Sequence, residues 1–132
     1  MRDREERKTS MRILTARCAS TLVLLALANG PAGAADAEHG KALFAPCAAC
    51  HTEREDAIGP SLKGVFGRQS ASLPDFRYSN PMKRANLVWD EENLRAYITE
   101  PQAKVKGNRM PYSGMSDPND VDDVVAYLKT LK

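Results

Sequence analysis

The sequence predicts an all-α domain in which helices near its two ends are joined by long loops. Two segments late in the chain carry apolar residues at helical spacing, one containing Leu94 and Ile98 and the other running from Val121 to Leu131. Residues 52–75 instead contain a Gly-Pro pair, single glycines and few periodic apolar residues, which favours loops and turns over strands.

The first helix is predicted over residues 37–49. Asp36 is a suitable N-cap, because its side-chain oxygen can accept backbone N–H groups of the first turn. Pro46 weakens the last turn, because proline has no N–H to donate. Gly40 has two interpretations: a small residue that the helix tolerates, or a point of close contact with another helix, where any side chain would hold the backbones apart.

Three later helices are predicted from caps and turn signals. A short helix is expected near Met82, and Asp90 caps a helix that ends before Pro101. Residues 102–116 are predicted as a long loop. Asp117 and the proline after it then mark the start of the final helix, whose apolar stripe faces the core.

Residues 1–34 have the order of a secretory signal peptide that is cleaved on export. Basic residues are frequent before an apolar run, Ala19–Ala28, and small residues follow, with a cleavage site after Ala34, although Ala35 or Ala37 would also serve. The run is short for a bilayer span. Two alternatives stay open: Met11 is the true start, or the leader is kept as a membrane anchor. The mature domain is predicted as residues 35–132, located in the periplasm.

Removal of the leader changes the charge of the protein. The whole chain has 19 Lys and Arg residues and 17 Asp and Glu residues. The leader holds six of the basic and three of the acidic residues, so 13 basic and 14 acidic residues remain, a net charge of −1. Nucleic acid is therefore excluded as a partner, because the basic excess lies in the discarded segment. A chain this small makes a marginal core alone, which favours a cofactor that completes it.

The pentapeptide Cys-Ala-Ala-Cys-His, residues 47–51, predicts covalent attachment of one haem c through Cys47 and Cys50. Two cysteines at this spacing can add to the vinyl groups on one porphyrin edge, and the next histidine then reaches the iron. A thioredoxin-type redox pair would require a βαβ context. A zinc site needs four ligands, and only Cys18, in the leader, and His39 remain. A disulfide would close too small a loop to stabilise much.

The mature chain has three methionines that are candidates for the second axial position. A thioether ligand raises the reduction potential and favours electron transfer over oxygen chemistry. Met110 lies in a loop bounded by glycine and proline, and such a loop can reach the haem face opposite His51. Met115 is its competitor but is expected to pack under the loop, and His39 is expected to be exposed.

From Gly40 to its C-terminus the chain resembles the class I cytochromes c of the mitochondrial and short bacterial kind. The matching stretches are Gly40–Phe44, Cys47–His51, Gly59–Arg68, Phe76–Tyr78, Trp89, Tyr97 with Pro101, Arg109–Met110 and Ala126–Lys129. The resemblance implies the small cytochrome c fold, with N- and C-terminal helices packed on a covalently bound haem and long loops around it. It also implies that Gly40 and Phe44 contact the last helix at Val124 and Tyr127.

The resemblance also implies roles for individual residues near the iron. His51 and Met110 would be the metal ligands, and the carbonyl of Pro60 would accept the N–H of the axial histidine, which fixes the ring. Tyr97 corresponds to the tyrosine near the methionine sulfur.

Three more residues correspond to the propionate end of the haem. Arg68, Tyr78 and Trp89 match positions that hydrogen-bond or screen a propionate. Ordinary core packing is the alternative for each of them, above all for the single tryptophan.

Some positions depart from the family pattern. The loop between His51 and Pro60 is shorter than in the mitochondrial form, and Lys106 replaces a common proline. Met82 stands where an asparagine often joins a buried water network, and Tyr112 replaces a phenylalanine at the edge that faces partners. These departures bear on reduction potential and docking.

The resemblance implies an electron carrier and not an enzyme. Its expected partners are a reductase and an oxidase, met transiently by a monomer that has no stable membrane insertion. Basic residues could ring the exposed haem edge, although solvated surface lysines are the alternative; they are Lys63, Lys83, Lys104, Lys106 and Arg109. A second hypothesis is an open iron site for gas or peroxide, which would require that Met110 does not bind. No distal His or Arg pair for peroxide cleavage is evident.

Overall fold

The computed structural model describes residues 33–132, which contain six helical segments. They are α1 Ala37–Leu43, α2 Ala45–Ala48, α3 Asn80–Ala85, α4 Glu91–Thr99, α5 Pro101–Lys104 and α6 Pro118–Leu128. This part of the chain has no strand, and one isolated bridge joins Gln69 and Val88. The predicted all-α class is therefore confirmed. The predicted leader, with Met11 and Cys18, lies outside the described residues except for Gly33 and Ala34.

The first and last helices cross in close contact at Gly40. A Cβ atom on this residue would lie 1.9 Å from the carbonyl oxygen of Asp123 in α6, so only glycine allows the two backbones to approach this closely. One turn further on, the rings of Phe44 and Tyr127 meet edge to face with centroids 5.1 Å apart. The close-contact interpretation of Gly40 and the expected pairing of Phe44 are thus confirmed.

Hydrogen bonds between polar groups also join the first and last helices at the exposed side of their contact. Nδ1 of His39 lies 2.8 Å from Oδ2 of Asp123, and Oδ1 of that carboxylate accepts the backbone N–H of Asp36 at 2.6 Å. The hydrogen bond to Asp123 raises the pKa of His39, while the same contact lowers the pKa of Asp123. His39 is exposed, as predicted.

The first helix is shorter than the predicted 37–49. It ends at Leu43, and a separate short helix begins at Ala45. Pro46 is the physical reason, because it cannot donate the hydrogen bond that the carbonyl of Ala42 would accept in a continuous helix. Phe44 still donates to the carbonyl of Gly40 at 2.9 Å, and Ala48 donates to that of Phe44 at 3.0 Å, so helical hydrogen bonding resumes after the break.

The predicted caps of the later helices are present. Asp90 accepts the N–H of Asn93 at 2.8 Å, and Asp117 accepts that of Asn119 at 2.8 Å. The short helix predicted near Met82 is α3.

The predicted loop over residues 102–116 is partly wrong, because Pro101 does not only end α4. It also begins α5, since proline is tolerated in a first helical turn, where no N–H donor is needed. The final helix ends at Leu128, and Leu131 packs against the core from beyond it. The buried apolar core consists of Val65, Met82, Trp89, Leu94, Val105, Val121, Val124, Val125 and Leu128.

Candidate haem site

One cavity of about 570 Å³ lies between the helices and the loops. Its lining is mostly apolar, and its size falls within the roughly 300–1,000 Å³ range of cofactor and ligand pockets. All nine sequence-predicted site residues line it; they are Cys47, Cys50, His51, Pro60, Arg68, Tyr78, Trp89, Tyr97 and Met110. Residues that are far apart in sequence are therefore brought to one site.

The two cysteines lie on the turn that ends α2. The backbone N–H of His51 donates to the carbonyl of Cys47 at 2.9 Å, so the pentapeptide is wound into a single turn. Both cysteines are half-buried and free, with no disulfide between them. Burial raises the pKa of the Cys47 thiol, so this side chain is protonated at neutral pH. Both thiols face one cavity and are available for thioether formation.

The imidazole of His51 is held in one tautomer. Its Nδ1 lies 2.7 Å from the carbonyl oxygen of Pro60, and because a carbonyl only accepts, Nδ1 carries the hydrogen. Burial lowers the pKa of His51, so the ring is neutral and its Nε2 lone pair is free. A Cβ on Gly59 would lie 2.7 Å from the ring, so glycine is what lets the backbone pass this close.

Hydrogen bonds stabilise the loop that carries Pro60. Gly59 donates its N–H to the carbonyl of Cys50 at 2.9 Å, which closes the loop onto the pentapeptide. Arg68 donates to the carbonyls of Ser61 and Lys63, each at 2.7 Å. Two of its five N–H groups are used in this way, and the side chain still lines the cavity.

Aromatic side chains form another part of the lining. Trp89 is only 8% exposed and belongs to the core, with its ring centroid 5.1 Å from that of Tyr97. Burial raises the pKa of Tyr97 to about 12, so its phenol stays protonated at neutral pH. Burial also raises the pKa of Tyr78, whose ring lies edge to face against Phe76.

The three methionines have different positions. Met110 and Met82 line the cavity, whereas Met115 packs half-buried against the core and donates its backbone N–H to Ile98 at 3.0 Å. Met82 is on α3 and only 9% exposed, while Met110 is half-buried in the loop after α5.

Several cavity-lining residues, among them Ile58 and Asn108, were missed by sequence reasoning, and Asn108 is the more connected of these two. Asn108 is 7% exposed, and its side chain binds the backbone of Pro101, Val105 and Met110. The available signal was its place two residues before Met110, since an Asn side chain often accepts the backbone N–H two residues on.

The residues present fit a haem c. The apolar lining suits a porphyrin, and the donor set combines two free thiols, one neutral imidazole with a free lone pair and thioethers. The cationic side chains of Arg68, Arg77 and Arg109 also line the cavity and suit the carboxylates of a haem.

Comparison with known proteins identifies the family. The family model described as cytochrome c matches residues 37–132. The chain is 39% identical over 111 residues to cytochrome c2 of Blastochloris viridis (82% of this chain, 87% of the relative), and 45% identical over 98 residues to that of Afifella marina (70% and 79%). Cytochrome cH from Methylobacterium extorquens superposes with a TM-score of 0.69 at 42% identity, covering 72% of this chain and 98% of that one.

The match to the family model covers all nine predicted site residues. Proteins of this kind carry electrons on one haem with histidine and methionine ligands, and they are not enzymes. In the described part of the chain, no helix has the length and apolar character needed to cross a membrane. The chain belongs to the cytochrome c family, and it is a single-haem electron carrier that holds haem c covalently through Cys47 and Cys50.

Proposed function

We propose that His51 and Met110 are the axial ligands and that both stay bound while the protein takes up and releases one electron. The orientation of His51 carries this proposal, because its hydrogen bond to Pro60 leaves Nε2 as the free donor atom. When bound, haem supplies the redox change between ferrous and ferric iron. The chain supplies the ligands, excludes water and sets the potential.

Met110 is favoured over the other methionines by its surroundings. Met115 is not among the cavity-lining residues. Met82 lines the cavity, but it is a core residue on a helix and its side chain takes part in packing. Met110 lies in a loop whose course is not dictated by helix packing, so its thioether can be directed at the iron. Such a ligand favours electron transfer over oxygen chemistry.

Arg68, Tyr78 and Trp89 are assigned to the propionate end of the haem. The guanidinium of Arg68 retains N–H groups beyond those bound to Ser61 and Lys63, and Tyr78 and Trp89 each carry a polar hydrogen. Tyr97 is assigned to the methionine side. Since its raised pKa keeps the hydroxyl protonated, it can donate a hydrogen bond there.

Members of this family exchange electrons with redox proteins. The surface of this monomer that we assign to transient docking is the cavity mouth, where Arg77 and Arg109 are exposed and Arg109 donates to the backbone carbonyl of Arg77. Lys63 is less available, because its Nζ lies 3.3 Å from Glu53. Because the cavity mouth carries the two exposed guanidinium groups of Arg77 and Arg109, the encounter is steered toward an acidic partner. The encounter is expected to weaken with salt.

We assign the protein to the periplasm, with residues 1–34 removed as a signal peptide. Mass spectrometry of the purified holoprotein tests this assignment. A mature N-terminus near Ala35 is expected, whereas an N-terminus at Met1 or Met11 would overturn cleavage.

The ligand assignment is tested by the weak near-red band of sulfur-to-iron charge transfer in the ferric protein. We expect this band in the native protein, its loss in Met110→Ala, and its retention in Met82→Leu and Met115→Leu. Met82→Leu is the matched control, because Met82 lines the same cavity. Absence of the band in the native protein, with high-spin features instead, would mean that the iron site is open.

A further inference from the structure

We propose that Asn108 is a positioning residue for Met110, because its buried carboxamide ties the methionine backbone to the end of α5 and thereby sets how firmly the thioether is held. This inference rests on the proposed role of Met110 as an axial ligand. Asn108 itself does not touch the iron in this proposal. It acts through the backbone of the residue that does.

The side chain of Asn108 connects three backbone groups. Its Nδ2 donates to the carbonyls of Pro101 and Val105, both at 2.9 Å, and its Oδ1 accepts the N–H of Met110 at 2.8 Å. Both amide hydrogens and the carbonyl oxygen are thus engaged. At 7% exposed, the side chain has little water available as a substitute partner.

One side of this connection is rigid. Pro101 is among the most buried side chains, and its carbonyl also accepts the N–H of Val105 at 2.9 Å. Val105 is itself buried in the core. The amide of Asn108 therefore binds to a backbone that core packing already holds in place.

The other side of the connection is a loop with few anchors. Gly107 turns the chain with a positive φ of 82°, and Gln102 supports this turn from outside through the N–H of Gly107 and the carbonyl of Asn108. Beyond Met110, the next backbone hydrogen bond within the described residues is that of Met115 to Ile98. The hydrogen bond that the Met110 N–H donates to Oδ1 of Asn108 therefore restrains the Met110 backbone directly.

This arrangement has a consequence for ligand exchange. An external ligand reaches ferric iron only when the thioether has left, so its rate of binding reports how often the Met110 loop opens. Without the carboxamide, the Met110 N–H lacks its acceptor while the loop is closed. The open loop loses nothing in this way, so the substitution destabilises the closed loop relative to the open one. Loss of a buried hydrogen bond of this kind shifts the equilibrium between the closed and the open loop by about tenfold to a hundredfold.

The test uses imidazole binding by the ferric holoprotein. Asn108→Ala removes all three hydrogen bonds, whereas Asn108→Thr keeps an oxygen that can accept the Met110 N–H two residues on. Asn93→Ala is the matched control, because Asn93 is half-buried and donates one side-chain hydrogen bond, at 2.9 Å to Val88, away from the Met110 loop. Global stability is measured for every variant by denaturant unfolding.

We expect imidazole to bind about tenfold to a hundredfold faster in Asn108→Ala, at an intermediate rate in Asn108→Thr and at the native rate in Asn93→Ala. If Asn108→Ala does not yield holoprotein, Asn108→Thr alone must still bind imidazole faster than Asn93→Ala. Native rates in the Asn108 variants, or equal acceleration in Asn93→Ala, would overturn the positioning role. Retention of the near-red band in Met110→Ala would instead overturn the ligand assignment.

Discussion

The pair of helices α1 and α6 and the walls of the haem cavity are stabilised by different interactions. The helix pair is closed by direct backbone approach at Gly40 and by the contact of Phe44 with Tyr127, and α6 also buries core residues such as Val125. The cavity walls depend on single hydrogen bonds from side chains to backbone, as at His51 and Asn108. They also leave apolar residues such as Ile58, 69% exposed, for a porphyrin to cover.

Because of this difference, we expect the helix pair to determine the stability of the fold and the cavity walls to determine the properties of the iron site. Changes in the helix pair are expected to lower the free energy of unfolding without altering the iron ligands, because the contact is made by protein alone. Substitutions in the cavity walls are expected to alter the binding of the iron ligands more than the free energy of unfolding, because each of these hydrogen bonds orients one ligand residue. Four predictions test this separation.

Gly40→Ala is expected to have the largest effect on stability. The new Cβ meets the backbone of Asp123, which cannot move aside as a flexible side chain can, so the helices must separate. Overpacking of this kind costs about 3 kcal/mol of unfolding free energy. Denaturant unfolding measures this loss, and Lys41→Ala, exposed on the same helix, is the control. Loss of the near-red band in folded Gly40→Ala would contradict the separation.

Val125→Ala is expected to have the next largest effect. Val125 is 2% exposed, so the change removes buried methyl groups and leaves a cavity, at a cost of about 2 kcal/mol. The matched control is Val88→Ala, because Val88 is 44% exposed. Chemical denaturation should place this control within about 0.5 kcal/mol of the native protein. Equal losses in both variants would show that burial of Val125 is not the source of its contribution to stability.

Gly59→Ala is expected to alter the redox centre more than the stability. Its Cβ would press on the His51 ring and weaken the hydrogen bond to Pro60, which contributes about 1 kcal/mol. Because that bond raises the basicity of the imidazole and so favours ferric iron, its weakening should raise the reduction potential. Potentiometric titration measures this change, with Gly40→Ala as the comparison. An unchanged potential would argue against the role of Pro60.

His39→Asn is expected to have the smallest effect, and the effect should depend on pH. The pKa of His39 is raised from 6.5, so its stabilisation is complete below that pH and is lost as pH rises through the raised value. The pKa of Asp123 is lowered from 3.8, so its contribution is present above that pH and lost below the lowered value. Asp36 and Asp120 also face His39 and act in the same direction.

Melting temperatures of native protein and His39→Asn should therefore differ most at about pH 5 and converge at alkaline pH. Glu38→Ala, exposed on the same helix, controls for general effects of charge. A difference in melting temperature that grows toward alkaline pH would show that the ion pair of His39 with Asp123 is not what stabilises the contact between α1 and α6.

Much of the fold was predictable because it depends on local chemistry. Asp36, Asp90 and Asp117 cap helices as expected, since a cap needs only a side-chain oxygen near the next few N–H groups. The split at Phe44 and the helix beginning at Pro101 were not predicted. Proline ends one hydrogen-bonding pattern and is compatible with the start of another, so the neighbouring structure decides between the two outcomes.

The sequence by itself determined the pentapeptide that carries haem and the all-α class, because both follow from residue type and spacing along the chain. The resemblance to the class I cytochromes c added Pro60, Arg68, Tyr78, Trp89 and Tyr97 as expected residues of the site, and all five line the cavity. Only the tertiary structure decided that Met82 lines the cavity together with Met110 while it also packs in the core. It also showed that Asn108 connects Met110 to α5. Which groups meet across a loop depends on where the whole chain places them, and residue types do not contain that information.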